Sequence, residues 1–348
     1  MTTPSARARI RPGTVLGAAA VLVVSALVVT LAVMWPGFDA RQTPVDDGTL
    51  WAVQTGAGDA YARVNLELGE LDTVKTAENA SSLVQTTDRL FVFAERDTQF
   101  ADVSMAAPSD LTATTTDAFI RAPAGTVQTA SSGDFLVFRT DAGGIFSATL
   151  SGGGRVTTID PYADVVVDEG QERPRFVATA AAIDADGTVY AYSSAESRII
   201  RADARTGRIL GDDAVTGSPE DVQLTAVAGR WALLDESDGA LRVRGREETI
   251  DTGTAVGARL ERTAAAASTA AAREVYIADS EGLVRVGLED GTSERVVADV
   301  AGTPAAPLTQ DGITYAAWLR DGDGGGTLWT TADPTLNPLD YGAATLGD

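Results

Sequence analysis

The stretch DGTVYAYSSAESRIIRADARTGRIL, residues 186–210, decides the fold. It holds two short runs, Thr188–Tyr192 and Arg198–Asp203, in which apolar residues alternate with polar or small ones. A period of two is typical of a β-strand that shows different residues on its two faces. Asp186-Gly187 precedes the first run and Thr206-Gly207 follows the second, and glycine supplies the positive φ that tight hairpins need. The stretch therefore predicts consecutive strands joined by short turns.

Copies of this unit recur along the chain. The clearest begin at Asp47 and Glu274, and fainter ones lie between and after them. The first β-type run of each copy can be anchored at Leu50, Leu90, Leu136, Val189, Ala232, Val275 and Thr314. The steps between these anchors are 40, 46, 53, 43, 43 and 39 residues, and a four-stranded propeller blade takes about 40–50. The longest step contains Pro161–Pro174, which we interpret as a loop insertion.

One such unit cannot bury both faces of its sheet alone. When seven units are arranged around an axis, each sheet is covered by its neighbours, and closure removes most exposed edges. The sequence therefore predicts an all-β fold, a seven-bladed β-propeller preceded by one N-terminal transmembrane helix. Ala180–Ala182 and Ala264–Ala267 precede repeat strands and are predicted to form innermost strands, where space is least. For Ala264–Ala272 a short helix in a loop is the alternative, since alanine favours helices.

The repeat resembles blades of the β-propeller family, of the YVTN, NHL and quinoprotein types. The unit at 186–210 and its copies at Asp47 and Val275 carry this resemblance, which implies a fold and not an activity. The Gly-His and Trp-Asp pairs of WD40 repeats are absent, and the tryptophan-docking signature of quinoproteins is not repeated. The four tryptophans in predicted strands are interpreted as packing between blades: Trp51, Trp231, Trp318 and Trp329.

The N-terminal segment Thr14–Trp35 carries no charged residue over 22 positions, and about 20 residues span a hydrocarbon core. Arg7, Arg9 and Arg11 precede it, which places the N-terminus in the cytoplasm and the rest of the chain outside. We therefore predict an uncleaved anchor in a single-pass protein of the cell membrane. The expected segments are a cytoplasmic tail at 1–13, a transmembrane helix at 14–35, a linker at 36–46, the propeller at 47–340 and a C-terminal tail at 341–348.

A cleaved signal peptide and a buried soluble helix are the alternatives for this segment. A signal peptide has a shorter apolar run, usually about 7–15 residues, and small residues before its cleavage site. The best exit site here, Phe38-Asp39-Ala40, has phenylalanine at the position that should be small. These features favour the anchor.

Composition excludes several kinds of chemistry. The chain has no histidine and no cysteine, so disulfides, cysteine-ligated zinc, cysteine nucleophiles and Ser-His-Asp catalysis are excluded. With 49 acidic and 27 basic residues the net charge is −22, and nucleic acid phosphates would repel such a chain. The Ala-, Arg- and Asp-rich usage resembles that of high-GC actinobacteria. An anchor followed by an acidic propeller also resembles the head of large actinobacterial surface proteins with fibronectin type III or immunoglobulin-like domains. Since the chain ends at Asp348 with no β-sandwich after the last repeat, it is either a fragment or similar to the head only.

Three groups of residues are candidate sites. Asp184–Gly187 and Asp321–Gly326 resemble half of a calcium loop, but position 12 is Ala195 or Ala332 and not glutamate, so we expect hairpin turns. The glycine run Ser151–Arg155 lacks the lysine of a phosphate loop and is also expected to be a hairpin. Carboxylate pairs are available for a hydrolase, which would need two acids fixed across a cleft. They are Asp212-Asp213, Glu220-Asp221 and Glu247-Glu248.

The sequence assigns no catalytic residue, no cofactor-binding residue and no metal ligand. The leading hypothesis is a membrane-anchored, extracytoplasmic and non-enzymatic propeller that binds or scaffolds a protein or cell-envelope partner through its loops. One alternative is a carboxylate-dependent hydrolase or lyase acting on envelope glycans. Another is the structural head of a longer adhesin-like surface protein. Several acids converging at the axial mouth would distinguish the hydrolase.

Overall fold

The computed structural model describes residues 50–54, 60–65, 70–85, 89–95, 98–112, 119–150, 155–168, 170–262, 273–310, 312–320 and 325–340. In these residues the chain forms 28 β-strands in seven antiparallel sheets. The expected transmembrane segment at 14–35 and the alanine-rich stretch at 264–272 lie outside the described residues. Within the described ranges, no helix has the length and apolar character needed to cross a membrane.

The first three sheets follow one another along the chain. The first contains β1 (Leu50–Gln54), β2 (Ala60–Asn65) and β3 (Glu70–Thr76). The second contains β4 (Ala80–Gln85), β5 (Arg89–Ala94), β6 (Gln99–Ser104) and β7 (Phe119–Arg121). The third contains β8 (Thr126–Ser132), β9 (Phe135–Thr140), β10 (Ile145–Thr149) and β11 (Arg155–Ile159).

The remaining four sheets repeat the same order. The fourth contains β12 (Ala180–Ile183), β13 (Thr188–Ser193), β14 (Arg198–Asp203) and β15 (Ile209–Ala214). The fifth contains β16 (Val222–Val227), β17 (Arg230–Asp235), β18 (Ala240–Val243) and β19 (Ile250–Asp251). The sixth contains β20 (Arg259–Leu260), β21 (Glu274–Asp279), β22 (Gly282–Gly287) and β23 (Ser293–Ala298). The seventh contains β24 (Thr303–Pro304), β25 (Leu308–Gln310), β26 (Ile313–Leu319), β27 (Gly325–Thr330) and β28 (Asn337–Asp340).

The strand order defines an inner edge for each blade. In the second to sixth sheets the first strand is at one edge and the last at the other. The first strand of the fourth sheet, β12, contacts both β8 and β16, and β16 contacts β20. First strands thus meet at the centre of the ring, and in the seventh sheet β25 lies there too, since its Leu308 forms a bridge with Arg262 just after β20. We call β4, β8, β12, β16, β20 and β25 the inner strands. The fold is the seven-bladed β-propeller that the repeat spacing predicts.

Alternation along one strand fills two separate cores. In β13, Val189 and Ala191 pack against the third sheet, whereas Tyr190 and Tyr192 pack against the fifth. Both sets are buried because the sheet has a neighbour on each face. Burying a large apolar side chain contributes about 1.5–3 kcal/mol, which a lone exposed sheet could not gain on both faces. This explains why the sequence pattern of a single blade predicts a ring.

The described residues contain one apolar cluster at each of six interfaces between consecutive sheets. The four strand tryptophans belong to these clusters or line them, and their exposed fractions are at most 5%. Trp318 also donates its indole N–H to the carbonyl of Asp279 at 2.8 Å. The interpretation of the tryptophans as blade packing is confirmed. The inner position predicted for Ala180–Ala182 is confirmed as well, since β12 is buried throughout.

The longest step between repeats contains a loop, as the sequence predicts. No strand occurs in residues 161–168 or 170–174. Tyr162 of this loop donates its hydroxyl to Glu196 and accepts a bond from Arg198, each at 2.9 Å. The insertion is therefore held against the fourth blade.

Candidate functional site

The inner strands surround an axial channel of about 690 Å³. Residues from all seven sheets or from the segments just before them line it, so no single blade could form it. We define the axial channel by the part of its lining that the structure describes. Its apolar wall includes Trp51, Leu83, Leu224 and Tyr315, and its polar wall includes residues of β8, β9 and β20.

Glutamines fasten the inner strands to one another. Gln128 of β8 donates its amide to the carbonyl of Ala181 at 3.0 Å and accepts the N–H of the same residue at 3.2 Å. Gln223 of β16 does the same across the next gap, to the carbonyl of Ala258 at 2.7 Å and the N–H of Leu260 at 2.8 Å. Inner strands of different blades belong to different sheets, and these side-chain hydrogen bonds connect them in place of a backbone hydrogen-bond ladder. They make the wall of the channel rigid.

The repeat pattern of the sequence does not single out these glutamines. A usable signal exists, because a glutamine stands in the segment just before the first β-type run of several repeats. Gln85 belongs to the set, and it accepts the N–H of Trp51 at 2.9 Å. Gln128 and Gln223 are the third and second residues of their inner strands, whereas Gln85 is the last residue of β4, so the signal is a glutamine in the inner strand and not at a fixed position.

Glu261 is the one carboxylate among the described residues of the channel wall. It is 7% exposed and directly follows β20. One of its oxygens accepts the hydroxyl of Thr309, and the other accepts the N–H of Tyr276 at 2.9 Å. Burial raises the pKa of Glu261 to about 7, against these two bonds, which lower it. The group therefore joins the sixth and seventh blades and changes charge near neutral pH.

Arg139 of β9 brings positive charge to the same wall. Its Nε donates to the Gln128 side-chain oxygen at 2.9 Å, and among the described residues the guanidinium has no other hydrogen bond and no ion pair. Burial lowers the pKa of Arg139, although guanidinium groups stay protonated in proteins. Arg259 and Arg262 also line the channel, and Arg259 is 3.9 Å from the carboxylate of Glu236.

Two buried donors in the channel wall have no hydrogen-bond partner among the described residues. They are the indole Nε1 of Trp51 and the hydroxyl of Thr129. A buried polar group without a partner costs about 1–3 kcal/mol, so native proteins rarely keep one without a use. Because these two atoms have almost no exposed surface, the donor that the wall presents to a ligand is the partly buried guanidinium of Arg139.

The structure does not bring the predicted carboxylate pairs together in the channel. Asp213 lies between Arg244 at 3.1 Å and Arg201 at 3.4 Å, and it also accepts the indole N–H of Trp231 at 3.0 Å. Its neighbour Asp212 is exposed and 3.4 Å from Arg198. The other two pairs, Glu220-Asp221 and Glu247-Glu248, are exposed and do not line the channel.

The first calcium-like stretch is a hairpin turn. Gly187 has a φ of 87°, and its N–H donates to the carbonyl of Asp184 at 2.9 Å. The carboxylate of Asp184 accepts the N–H groups of Ala185 and Gly229, and that of Asp186 accepts the N–H of Thr188. The described residues contain no group of three or more acidic side chains that could hold a metal ion. Residues 321–324 of the second stretch and 151–154 of the glycine run lie outside the described residues.

Comparison with known proteins identifies the fold. No family model and no curated protein matches the sequence. Among solved structures, the chain is similar to virginiamycin B lyase from Staphylococcus aureus, determined as an inactive variant with quinupristin, at a TM-score of 0.52 and 12% identity over 78% of this chain and 89% of that one. It is equally similar to Hsv2 from Kluyveromyces lactis, with a TM-score of 0.52 and 12% identity over 85% and 96%.

A third similar structure is the β-propeller domain of Cps50 (Swd1) from Myceliophteria thermophila, with a TM-score of 0.51 and 10% identity over 78% of this chain and 93% of that one. The similar structures thus include a lyase and two proteins that are not named as lyases. At these identities the likeness shows a seven-bladed β-propeller and nothing about activity.

Proposed function

We propose that this chain is a non-enzymatic binding module, held at the outer face of a cell membrane, whose axial channel receives part of a protein or cell-envelope ligand. The observation that carries the proposal is the chemistry of the channel wall. It presents the guanidinium of Arg139, which has no ion pair among the described residues, while its one described carboxylate is bonded to the protein through both oxygens.

Hydrolysis of a glycan has less support. Glycosidases use two carboxyl groups about 5–9.5 Å apart on either side of the scissile bond. The described channel wall has Glu261 alone, and the three candidate pairs lie elsewhere. The similar lyase was solved as a catalytically inactive histidine-to-alanine variant, and the present chain contains no histidine. We therefore do not assign the lyase activity of that enzyme to this chain.

A rigid channel suits a binding role. The glutamine bonds between inner strands hold the wall in place before a ligand arrives, and preorganisation lowers the entropic cost of binding. The cavity of about 690 Å³ matches the usual size of small-ligand sites. Because Arg139 has no ion pair among the described residues, a ligand group with a negative charge or a strong acceptor fits beside it.

Attachment to the membrane is part of the proposal. It rests on the uncharged run Thr14–Trp35 and on the three arginines before it. Sedimentation of the full chain with membranes after a carbonate wash, together with N-terminal sequencing, tests it. A mature protein that starts near Arg41 would contradict the anchor.

A channel-filling variant tests the binding role. Ala306 is half-buried and lines the channel, so Ala306→Trp should obstruct it, whereas the exposed Ala142 gives the control Ala142→Trp. The full chain in detergent would be titrated by calorimetry with purified envelope glycans and peptides. We expect the Ala306 variant to lose binding that the control keeps, with the ligand recovered at unchanged mass.

Two results would count against this reading. Turnover of any glycan that Glu261→Gln abolishes would establish the hydrolase alternative. Binding that both tryptophan variants retain would place the ligand outside the channel, as expected if the chain is only the structural head of a larger surface protein.

A further inference from the structure

We infer that a second cleft, between the fourth, fifth and sixth blades, binds a phosphate group. The arginine cleft has a volume of about 740 Å³ and is lined by Arg230, Arg244, Arg246, Asp213 and Glu289 with short loop segments. It shares no described lining residue with the axial channel. Its arginines come from one blade and its two acids from the blades on either side, so only the assembled ring forms it.

Positive charge exceeds negative charge in this cleft. Asp213 is shared by Arg201 and Arg244, and Glu289 is 3.7 Å from Arg230 and 3.8 Å from Arg273. Each of these two carboxylates is therefore shared by one arginine that lines the cleft and one that does not. In a chain with a net charge of −22, such a local excess is unexpected for a surface whose task is solubility alone.

Arg246 adds a guanidinium that has no ion pair among the described residues. One of its terminal nitrogens donates to the carbonyl of Glu289 at 2.6 Å, while its buried Nε has no hydrogen-bond partner among them. Asp290, which follows Glu289 in the chain, has a pKa lowered mainly by its bonds to Thr292 and in small part by Arg246. The described lining of the cleft holds three arginines and two carboxylates, an excess of one charge.

The free donors match a phosphate better than a single carboxylate. A phosphate monoester carries about two negative charges near neutral pH and three acceptor oxygens. Guanidinium groups bind such oxygens through paired, charge-assisted hydrogen bonds. Arg246 keeps terminal N–H groups besides the one that donates to Glu289. The Arg230 guanidinium has only its 3.7 Å contact with Glu289 among the described residues. Arg244 keeps the Nη2 that its contacts with Asp213 and Gly229 do not use.

Arginine-to-glutamine variants test this assignment. Arg246→Gln removes the unpaired guanidinium, and Arg230→Gln removes a half-exposed one, so a folding defect in one variant does not leave the test undecided. Arg208→Gln is the matched control, since Arg208 is exposed, lies outside the cleft and has no ion pair among the described residues. Circular dichroism checks that each variant folds.

Calorimetric titration of the full chain in detergent at constant ionic strength would use inorganic phosphate in one arm and glycerol 3-phosphate in the other. We expect saturable binding in at least one arm, weakened at least about tenfold in both cleft variants and unchanged in the control. Binding of both probes would show that the phosphate group suffices, and binding of the ester alone would identify an ester as the ligand. Absence of binding up to about 10 mM in both arms, or equal binding by the cleft variants, would overturn the assignment.

Discussion

Replacement of Glu261 by glutamine removes the pH dependence that this buried carboxyl group gives to the stability of the ring. In the folded chain burial raises the pKa of Glu261 to about 7, from an ordinary value of 4.5. The amide can keep both contacts, because its oxygen accepts the N–H of Tyr276 and its NH₂ group donates to Thr309. The hydroxyl of Thr309 then donates to Thr314, which is 2.7 Å away. The variant therefore changes charge with little change in packing.

The sign of the effect follows from proton linkage. Between pH 4.5 and about 7 the folded chain holds a proton that the unfolded chain releases. The stability that this proton confers is fully present below pH 4.5 and is lost as the pH rises through about 7. The gap between the two pKa values corresponds to about 3 kcal/mol. Because the Gln variant does not lose this stability, its free energy of unfolding should rise relative to that of the wild type by about 3 kcal/mol from acidic to alkaline pH.

Urea unfolding of both proteins across the pH range measures the difference directly. Glu248→Gln is the control, because Glu248 is exposed and lies away from the channel. We expect the difference in the free energy of unfolding between the Glu261 variant and the wild type to rise with pH, and that of the control to stay flat. A flat difference for Glu261, or one that falls with rising pH, would refute the account of its burial.

Three further substitutions test the blade contacts. Asp279 is fully buried and bonded twice to Arg295 at 2.9 Å, so Asp279→Ala should lower the free energy of unfolding by about 3–5 kcal/mol in the same urea assay. The control Arg285→Met removes an exposed ion pair with Glu294 and should cost less than about 1 kcal/mol. Gln223→Ala removes two hydrogen bonds between inner strands and should lower the free energy of unfolding by about 1–3 kcal/mol, while the loop variant Gln171→Ala should not change it. Equal urea midpoints for the two variants would show that these hydrogen bonds do not stabilise the ring. Gly282→Ala places a Cβ 2.0 Å from the carbonyl oxygen of Val297 and should lower the melting temperature strongly. In the control Gly229→Ala the Cβ meets no atom within 4 Å, so the variant should lose only about 1 kcal/mol through the positive φ of the residue. Similar melting temperatures for the two variants would contradict the register of β22 and β23.

Local patterns predicted the architecture because each blade repeats them. The alternation in Val189–Tyr192 has a period of two, and its two faces pack against two different sheets. The spacing of the repeats then fixes the number of blades that fit the chain. The loop at Pro161–Pro174 was predicted for the same reason, since it interrupts an otherwise regular period.

The candidate sites could not be predicted this way, because they depend on contacts between blades. Glu261 meets a threonine 48 positions later in the chain, and nothing in its own segment indicates burial. The arginine cleft joins side chains of three blades, and the sequence shows only scattered arginines and acids. Asp213 was considered as half of a catalytic pair, whereas its contacts are with Arg201, Arg244 and Trp231. The anchor, Thr14–Trp35, stays a prediction because it lies outside the described residues.

A crystal structure of the chain with a ligand selected by the glycan and peptide titrations would test the central claim most directly. We expect an intact ligand in the axial channel, with an acceptor group within hydrogen-bond distance of the Arg139 guanidinium. Density for a cleaved product beside Glu261, or for a ligand bound only outside the ring of inner strands, would contradict it.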